Sequence, residues 1–454
     1  MRRTACQLLV ISSAVLWLAG TANARTRPRY GDTLRAEMQT VVMSGDSTPE
    51  ALDGLAFETL VTIDDSGHLQ PALATSWTSS NNGLRWEFEL RHGVTFHDGT
   101  PLNPSPVVET LSKISNQPWR VRPGNNSVIF ESDSALPNLP AMLSLPQFAI
   151  SAMSSTGEAV GTGPFQIDRR NGPSFTLKAN DDYWGGRPFI DALELLTSRA
   201  PRDQQNDFSF DRADVIGLAP EQLRRAQQDR LRLGVSRPAE TLFVVISSAK
   251  AELRDVRVRQ AISLAIDREA IHSVIFQHQG ETASGLLPNW LSGYEFLFES
   301  SQDLTRARQL RMEVGQTPAI SIGYDPGDPT ERVIAERIAL NAHDIGLNMQ
   351  AVAGNSGDLR IRSVTLPSLD PGAALSGSLD RLGLPSAAIA SNTESLYAGE
   401  RAALQTYEAI PLVHLPRVTM LKDRVRDWSA SPAGEWQLDR VWLAARNARV
   451  EVHP

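Results

Sequence analysis

The sequence predicts an α/β protein built from two or three domains. Three observations predict it: strand-period alternation at residues 84 to 97, helix-period apolar faces behind acidic caps at 255 to 275, and a helix–strand–helix–strand succession from 303 to 352. A chain of 454 residues is long enough to bury a large core without covalent staples.

The first residues read as a secretory leader. Arg2 and Arg3 precede an apolar stretch from Leu8 to Leu18, and Ala22-Asn23-Ala24 supplies a small-x-small cleavage pattern. That stretch is shorter than the ~20 residues a permanent spanning helix needs. Leu18-Ala19-Gly20 is followed by Thr21 rather than cysteine, so no lipid anchor is expected. The single cysteine, Cys6, falls inside the leader, which excludes disulfides, thiol nucleophiles and Cys-ligated zinc from the exported chain. Loss of Arg2 and Arg3 with the leader takes the formal charge from −8 to −10, and no dense basic run offers itself to phosphates. Nucleic acid is therefore not expected as a partner.

Trp86, Phe88 and Leu90 alternate with Arg85, Glu87 and Glu89, the period of a half-buried strand. "RHG" breaks the run, Val94-Thr95-Phe96 resumes it, and Asp98-Gly99 is a turn dipeptide. His92 and His97 fall at these turns with no third ligand at helical or hairpin spacing, so they are read as turn residues and not as a metal site. Ser105 and Pro106 read as cap and first residue of a helix through Val107, Val108 and Leu111. Gly161-Thr162-Gly163 precedes a strand at 166 to 168. Phosphate cradles precede helices, so this is a tight turn.

Val258, Ala261, Ile262 and Ala265 form one apolar helix face behind Asp255, and Asp267 caps a second helix using Ile271, Val274 and Ile275. Arg257, Arg259, Arg268 and His272 are then read as surface residues. Asp303 caps a helix through Leu310. Ile320, Ile322 and Tyr324 alternate, 331 to 343 is helical, and Leu347, Met349 and Ala351 alternate again, which predicts a βαβ unit with parallel strands. Residues 366 to 396, rich in Ser, Gly, Ala and Pro, read as loop with some helix.

Taken in order, "LAFETLVTIDDSGHLQPALATSW", "LRWEFELRHGVTFHDGTPL", "GTGPFQI", "NDDYWGGRPFIDALEL" and "DVRVRQAISLAIDREAI", with the 303 to 352 segment, resemble the family 5 extracellular solute-binding proteins that serve ABC importers of peptides, nickel and related ligands. The resemblance implies a two-lobed periplasmic-binding-protein-like α/β fold, type II, of the large peptide-binding subtype, with a hinge. It implies a leader at 1–24, and a first lobe at 25–242 with a subdomain at about 58–160, completed by about 411–454. Residues 243–410 would form the second lobe. Ligand binding would shift an open–closed equilibrium of the lobes. The implied partners are a small solute and an ABC permease in the inner membrane. The implied state is a periplasmic monomer with no cofactor, metal or catalytic residue.

Two departures bear on the ligand. Peptide-binding relatives carry a Trp and, three residues on, an Asp that receives the peptide's amino terminus; Val364 and Pro367 stand at those places, with Asp370 the only nearby acid. A buried ammonium without a carboxylate costs several kcal/mol, so the usual anchor is absent or displaced. Only about forty residues separate Asp370 from Ile410-Pro411, so the second lobe is trimmed near the cleft. By position in the family's pattern, the ligand-binding candidates are Glu37, Met38 and Gln39 from the first lobe and Arg360, Arg362 and Asp370 from the second. Trp119 and Trp290 are candidate pocket walls.

Two other functions compete. Ser247-Ser248-Ala249-Lys250 spells the Ser-x-x-Lys of serine acylases, but it follows strand-like "LFVVI" and no Lys-Thr-Gly completes it. A sensor or scaffold that keeps the fold without transport is the third reading.

Overall fold

The computed structural model of the chain describes residues 27–445 apart from 39–42, 45–47, 50–53, 116, 248–249, 295–297, 299, 316–317, 355 and 387–388. The leader and Gln39 lie outside the described residues. Among the described residues, no helix is long and apolar enough to cross a membrane.

The molecule is a two-lobed α/β fold strung on one sheet of eleven strands. From one edge the order is Phe165–Asn171, Ser174–Ala179, Ala192–Leu196, Thr33–Glu37 and Val215–Leu218. Two long strands follow, Ala409–Leu421 and Leu233–Ile246, then Leu359–Thr365, Ile320–Tyr324 and Met349–Ala353. The short strand Glu281–Thr282 pairs with Ala409–Leu421 at His414 and Val413.

The two long strands cross from one half to the other as an antiparallel pair. Pro238 stands opposite Pro416, with register shifts on both sides. Neither proline has an N–H to donate, so the ladder is interrupted where the two halves meet. Farther along, His414 is buried, and its Nδ1 lies 2.7 Å from the Thr241 hydroxyl.

Each half has its own core. Leu34, Phe165, Leu177, Leu193, Val215 and Leu443 belong to the first. Val244, Val258, Ile262, Ile322, Ile338 and Leu412 belong to the second. A four-stranded sheet, in the order Ala74–Ser80, Arg85–Leu90, Ser127–Ser132, Trp119–Pro123, packs a third core around Phe88, Phe130 and Phe148.

Most elements form as the patterns predict, for visible reasons. Phe88 and Leu90 turn inward from the strand Arg85–Leu90. Its hairpin partner is the preceding strand rather than Val94-Thr95-Phe96, which makes only an isolated bridge from Thr95 to Pro101. His97 joins this turn to the Gly161 block: its N–H donates to Gly161 O at 2.9 Å and its Nε2 lies 3.0 Å from Gly163 O. His92 Nε2 sits 3.3 Å from the Asn126 amide, a second turn contact. A Cβ on Gly161 would fall 1.9 Å from Ala56 O, which is why that turn takes glycine.

Some expectations are corrected. The helix expected from Ser105 and Pro106 starts at Pro104 and is capped by Asn103, whose side chain accepts from Ser105 N; proline at the first helical position decides between two good caps. Asp255 does cap Val256–Ala265 with the expected buried face. Arg259 and Arg268 are buried, however, not solvated. Arg259 donates to the carbonyls of Leu253, Arg254 and Thr406, and Arg268 to those of Pro411, Ser263 and Ser300. Burial pulls the Arg268 guanidinium down to about 10. After Asp267 the helix lasts only for Arg268–Ala270 and passes into a π turn, Ile271–Ile275, leaving Val274 74% exposed. The βαβ unit is present: Ile320–Tyr324 and Met349–Ala353 lie parallel around the helix Pro329–Asp344.

Candidate functional site

The crevice follows from strand direction. In the first half, Thr33–Glu37 runs parallel to Val215–Leu218, whose last residue pairs with Val418 beside the proline pair. In the second half, Ile320–Tyr324 runs parallel to Leu359–Thr365, whose last residue pairs with Glu240 on the other side of it. The parallel strands of both halves therefore aim their carboxyl ends at the crossing, where open α/β sheets bind ligands. The floor is Pro238–Thr241 with His414–Pro416. By their place at these strand ends, Glu37 to Met38 with Leu196 to Arg199 are the candidates for one side of the crevice and Thr365 to Asp370 for the other.

Glu37 ends its strand buried, with 3% of its surface exposed. The chain leaving it is fixed by Met38 N to Leu196 O at 2.8 Å and Arg199 N to Met38 O at 3.1 Å, which place Arg199 beside the carboxylate. Arg199 Nε lies 3.6 Å from Glu37 Oε2, and its Nη2 donates to Asp207, which also accepts from Arg212 Nε at 2.6 Å. Burial, and then the neighbouring Asp207, push the Glu37 carboxyl up to about 7 against the opposing pull of Arg199. Among the described residues, Glu37 Oε2, Arg199 Nε and both amide atoms of the wholly buried Gln204 have no hydrogen-bond partner. Buried polar atoms are rarely left so, and four of the eight such atoms among the described residues lie at the end of this strand and on the helix beside it, Pro201–Ser209.

Asp370 is in a different condition. It caps Pro371–Arg381 by accepting from Ala373 N at 2.8 Å, and both of its oxygens accept from the Ser391 hydroxyl at 2.8 Å. Asn138, from the four-stranded subdomain, reaches across to Asp370 Oδ1 at 3.3 Å and to Ile389 O at 3.0 Å. The helix behind Asp370 is buried from Gly372 through Leu379. Ala373 packs into the subdomain core, whereas Ala374, Leu375 and Leu379 pack with Phe243 and Leu366. A helix covered on every side cannot present one face to solvent, so this one fills space between the subdomain and the second lobe.

The remaining candidates are spread apart. Met38 packs against the first core. Trp290 stands at the crossing, donating Nε1–H to Pro238 O at 2.7 Å with the Arg237 guanidinium 5.2 Å from its ring centre. Arg360 and Arg362 lie on the exposed side of Leu359–Thr365. Trp119 is inside the subdomain core, 5.7 Å from Phe148 and 6.0 Å from Phe130 between ring centres.

Sequence reasoning missed Arg199, Asp207 and Asn138, which become neighbours of the site only through the fold. It also missed Glu58, a buried carboxylate that accepts from Thr162 Oγ1 at 2.8 Å, Tyr183 OH at 2.9 Å and Trp184 Nε1 at 2.9 Å. Burial pushes its carboxyl up against those three donors. Glu58 thereby locks "LAFETL", "GTG" and "DDYWGG" together.

Two half-sheets joined by a crossing pair of long strands, with the carboxyl ends of their parallel strands turned towards that crossing, are the architecture of a two-lobed binding protein. The class is that of extracytoplasmic binding proteins. The family model described as bacterial extracellular solute-binding proteins, family 5 Middle, matches residues 68–364, and the chain belongs to that family. Its role is that of the solute-binding component of an ABC importer, in a family of binding proteins rather than enzymes. The chain is 25% identical to di/tripeptide-binding protein 2 of Pseudomonas aeruginosa, covering 70% of this chain and 72% of that one. It is also 25% identical to the dipeptide-binding protein of Escherichia coli, covering 72% and 74%. The solved structure of the oligopeptide-binding protein AppA of Bacillus subtilis, in complex with a nonapeptide, has the same fold, with a TM-score of 0.80 at 17% identity over 92% of this chain and 100% of that one.

Proposed function

We propose that this chain captures a small polar solute between its lobes and hands it to an ABC permease, and that the solute is not an extended peptide held by its amino terminus. The observation that carries this reading is the contrast between two carboxylates. Glu37 is buried, and its Oε2 and Arg199 Nε face each other at 3.6 Å as an ion pair in which neither atom has a hydrogen bond. Asp370 is spent on a helix cap and on Asn138. A donor group on the solute would satisfy Glu37 and an acceptor group would meet Arg199, which repays the cost of burying both. The relatives that bind dipeptides and tripeptides support a ligand of that size. Glu37, Met38, Trp290 and Asp370 line or brace the site in this reading, while Arg360 and Arg362, paired with Val245 and Phe243, stand farther from the crossing.

The lobes divide within the crossing strands, near residues 242 and 411. The chain is exported by its leader without a lipid anchor, acts as a monomer in the periplasm and carries out no bond-breaking step. Native mass spectrometry of the purified protein identifies a retained solute, and a thermal-shift series with that solute tests the site. A ligand of the closed form raises the melting temperature with concentration. The shift is expected to shrink in Glu37→Gln and Arg199→Ala. Strong shifts with free-amino peptides that vanish on N-acetylation and survive in Glu37→Gln would overturn the reading.

A further inference from the structure

Outside the crevice, the turn that follows Asp267 gathers three metal-ligating side chains. Glu269, His272 and His278 each offer a ligand atom, and the three atoms lie within 4.8 Å of one another. The two imidazole rings stand at 90° with centres 5.5 Å apart.

The backbone is built to bring them together. The helix breaks into a π turn at Ile271–Ile275, a form that recurs at functional sites. Gln277 and His278 then both take positive φ, 52° and 62°, a conformation that side-chain-bearing residues seldom adopt. This double turn reverses the chain and sets His278 N on His272 O at 3.0 Å. Arg268, buried on the opposite side among carbonyls, anchors the segment.

His272 is half-buried, and its Nε2 lies 3.2 Å from Gly280 O. When Nε2–H donates to that carbonyl, the lone pair stays on Nδ1, and such a carbonyl contact is the usual support of a ligating imidazole. Glu269 and His278 are exposed, and among the described residues the Glu269 carboxylate has no hydrogen bond or ion pair.

We propose that Glu269, His272 and His278 bind one divalent transition-metal ion of the zinc, nickel or copper kind. Two imidazoles and a carboxylate suit those borderline cations and not magnesium, and three protein ligands leave a position for water. Metal–nitrogen bonds of about 2.0 Å draw the ligand atoms closer than they now stand, and the exposed side chains of Glu269 and His278 are free to make that movement.

The test is calorimetric titration of the tag-free chain with zinc and with nickel chloride, with magnesium as control, and electron paramagnetic resonance of the copper(II)-loaded protein. One equivalent is expected to bind, with His272→Ala and His278→Ala each weakening it by about tenfold or more and each removing one nitrogen from the copper spectrum. His343→Ala, at an exposed histidine on another helix, is expected to leave both unchanged. Circular dichroism checks that the variants fold, and should His272→Ala fail, the exposed His278→Ala decides alone. Absence of zinc binding, or affinity unchanged in His278→Ala, would overturn the proposal.

Discussion

Glu37→Gln separates charge from shape at the crevice. The Glu37 carboxyl rises on folding from 4.5 to about 7, so the folded state holds its proton more tightly than the unfolded chain does. The sign follows: stability from this group is complete below the unfolded value and is lost as pH rises through the folded one. Each unit of such a difference carries ~1.4 kcal/mol, so ionised Glu37 costs the folded protein at most ~3 kcal/mol above about pH 7. Glutamine keeps the size and removes the titration. His414 works in the opposite direction, since burial drives its imidazole down to about 3 and stability is lost as pH falls towards that value. It is common to both proteins and cancels in their difference. Urea unfolding of both proteins, followed by tryptophan fluorescence and circular dichroism at several pH values from 4.5 to 8, reads that difference. The variant should gain ~3 kcal/mol on the wild type across the range. A gap that stays constant with pH would refute the account of Glu37.

Two further outcomes are expected. Gly161→Ala places a Cβ 1.9 Å from Ala56 O and 2.8 Å from the Phe57 ring, so backbone must move; a loss of ~1–3 kcal/mol is expected in unfolding titrations. Asn138→Ala removes the subdomain's bonds to Asp370 and Ile389. Hydrogen exchange should then quicken around 370 and 389, and small-angle scattering should report a larger mean radius, while unchanged exchange there would refute the bridging role.

Much of the scaffold was legible because its signals are local. Asp255 and Asp303 cap the helices they precede, and the alternation of Ile320, Ile322 and Tyr324 marks its strand. Arg259 and Arg268 were misread because charge alone suggests solvent. Their burial depends on carbonyls brought from Thr406 and Pro411, which no periodicity reports. The site was legible only in part. Glu37 is a candidate by likeness to a family pattern, whereas its electrostatic setting comes from Arg199 and Asp207, far along the chain. Asp370 looked like a displaced anchor until its cap and Asn138 were seen to occupy it.

The chain order of the long crossing strands also constrains how the protein is made. Val215–Leu218 finds its partner in Ala409–Leu421, which leaves the ribosome nearly two hundred residues later. Until then it is an open edge, a template for mispairing. The parallel unit Ile320–Tyr324, Pro329–Asp344 and Met349–Ala353, by contrast, closes within one short stretch of chain. A nascent chain halted before Ala409 should therefore stay vulnerable to proteases in its earlier half.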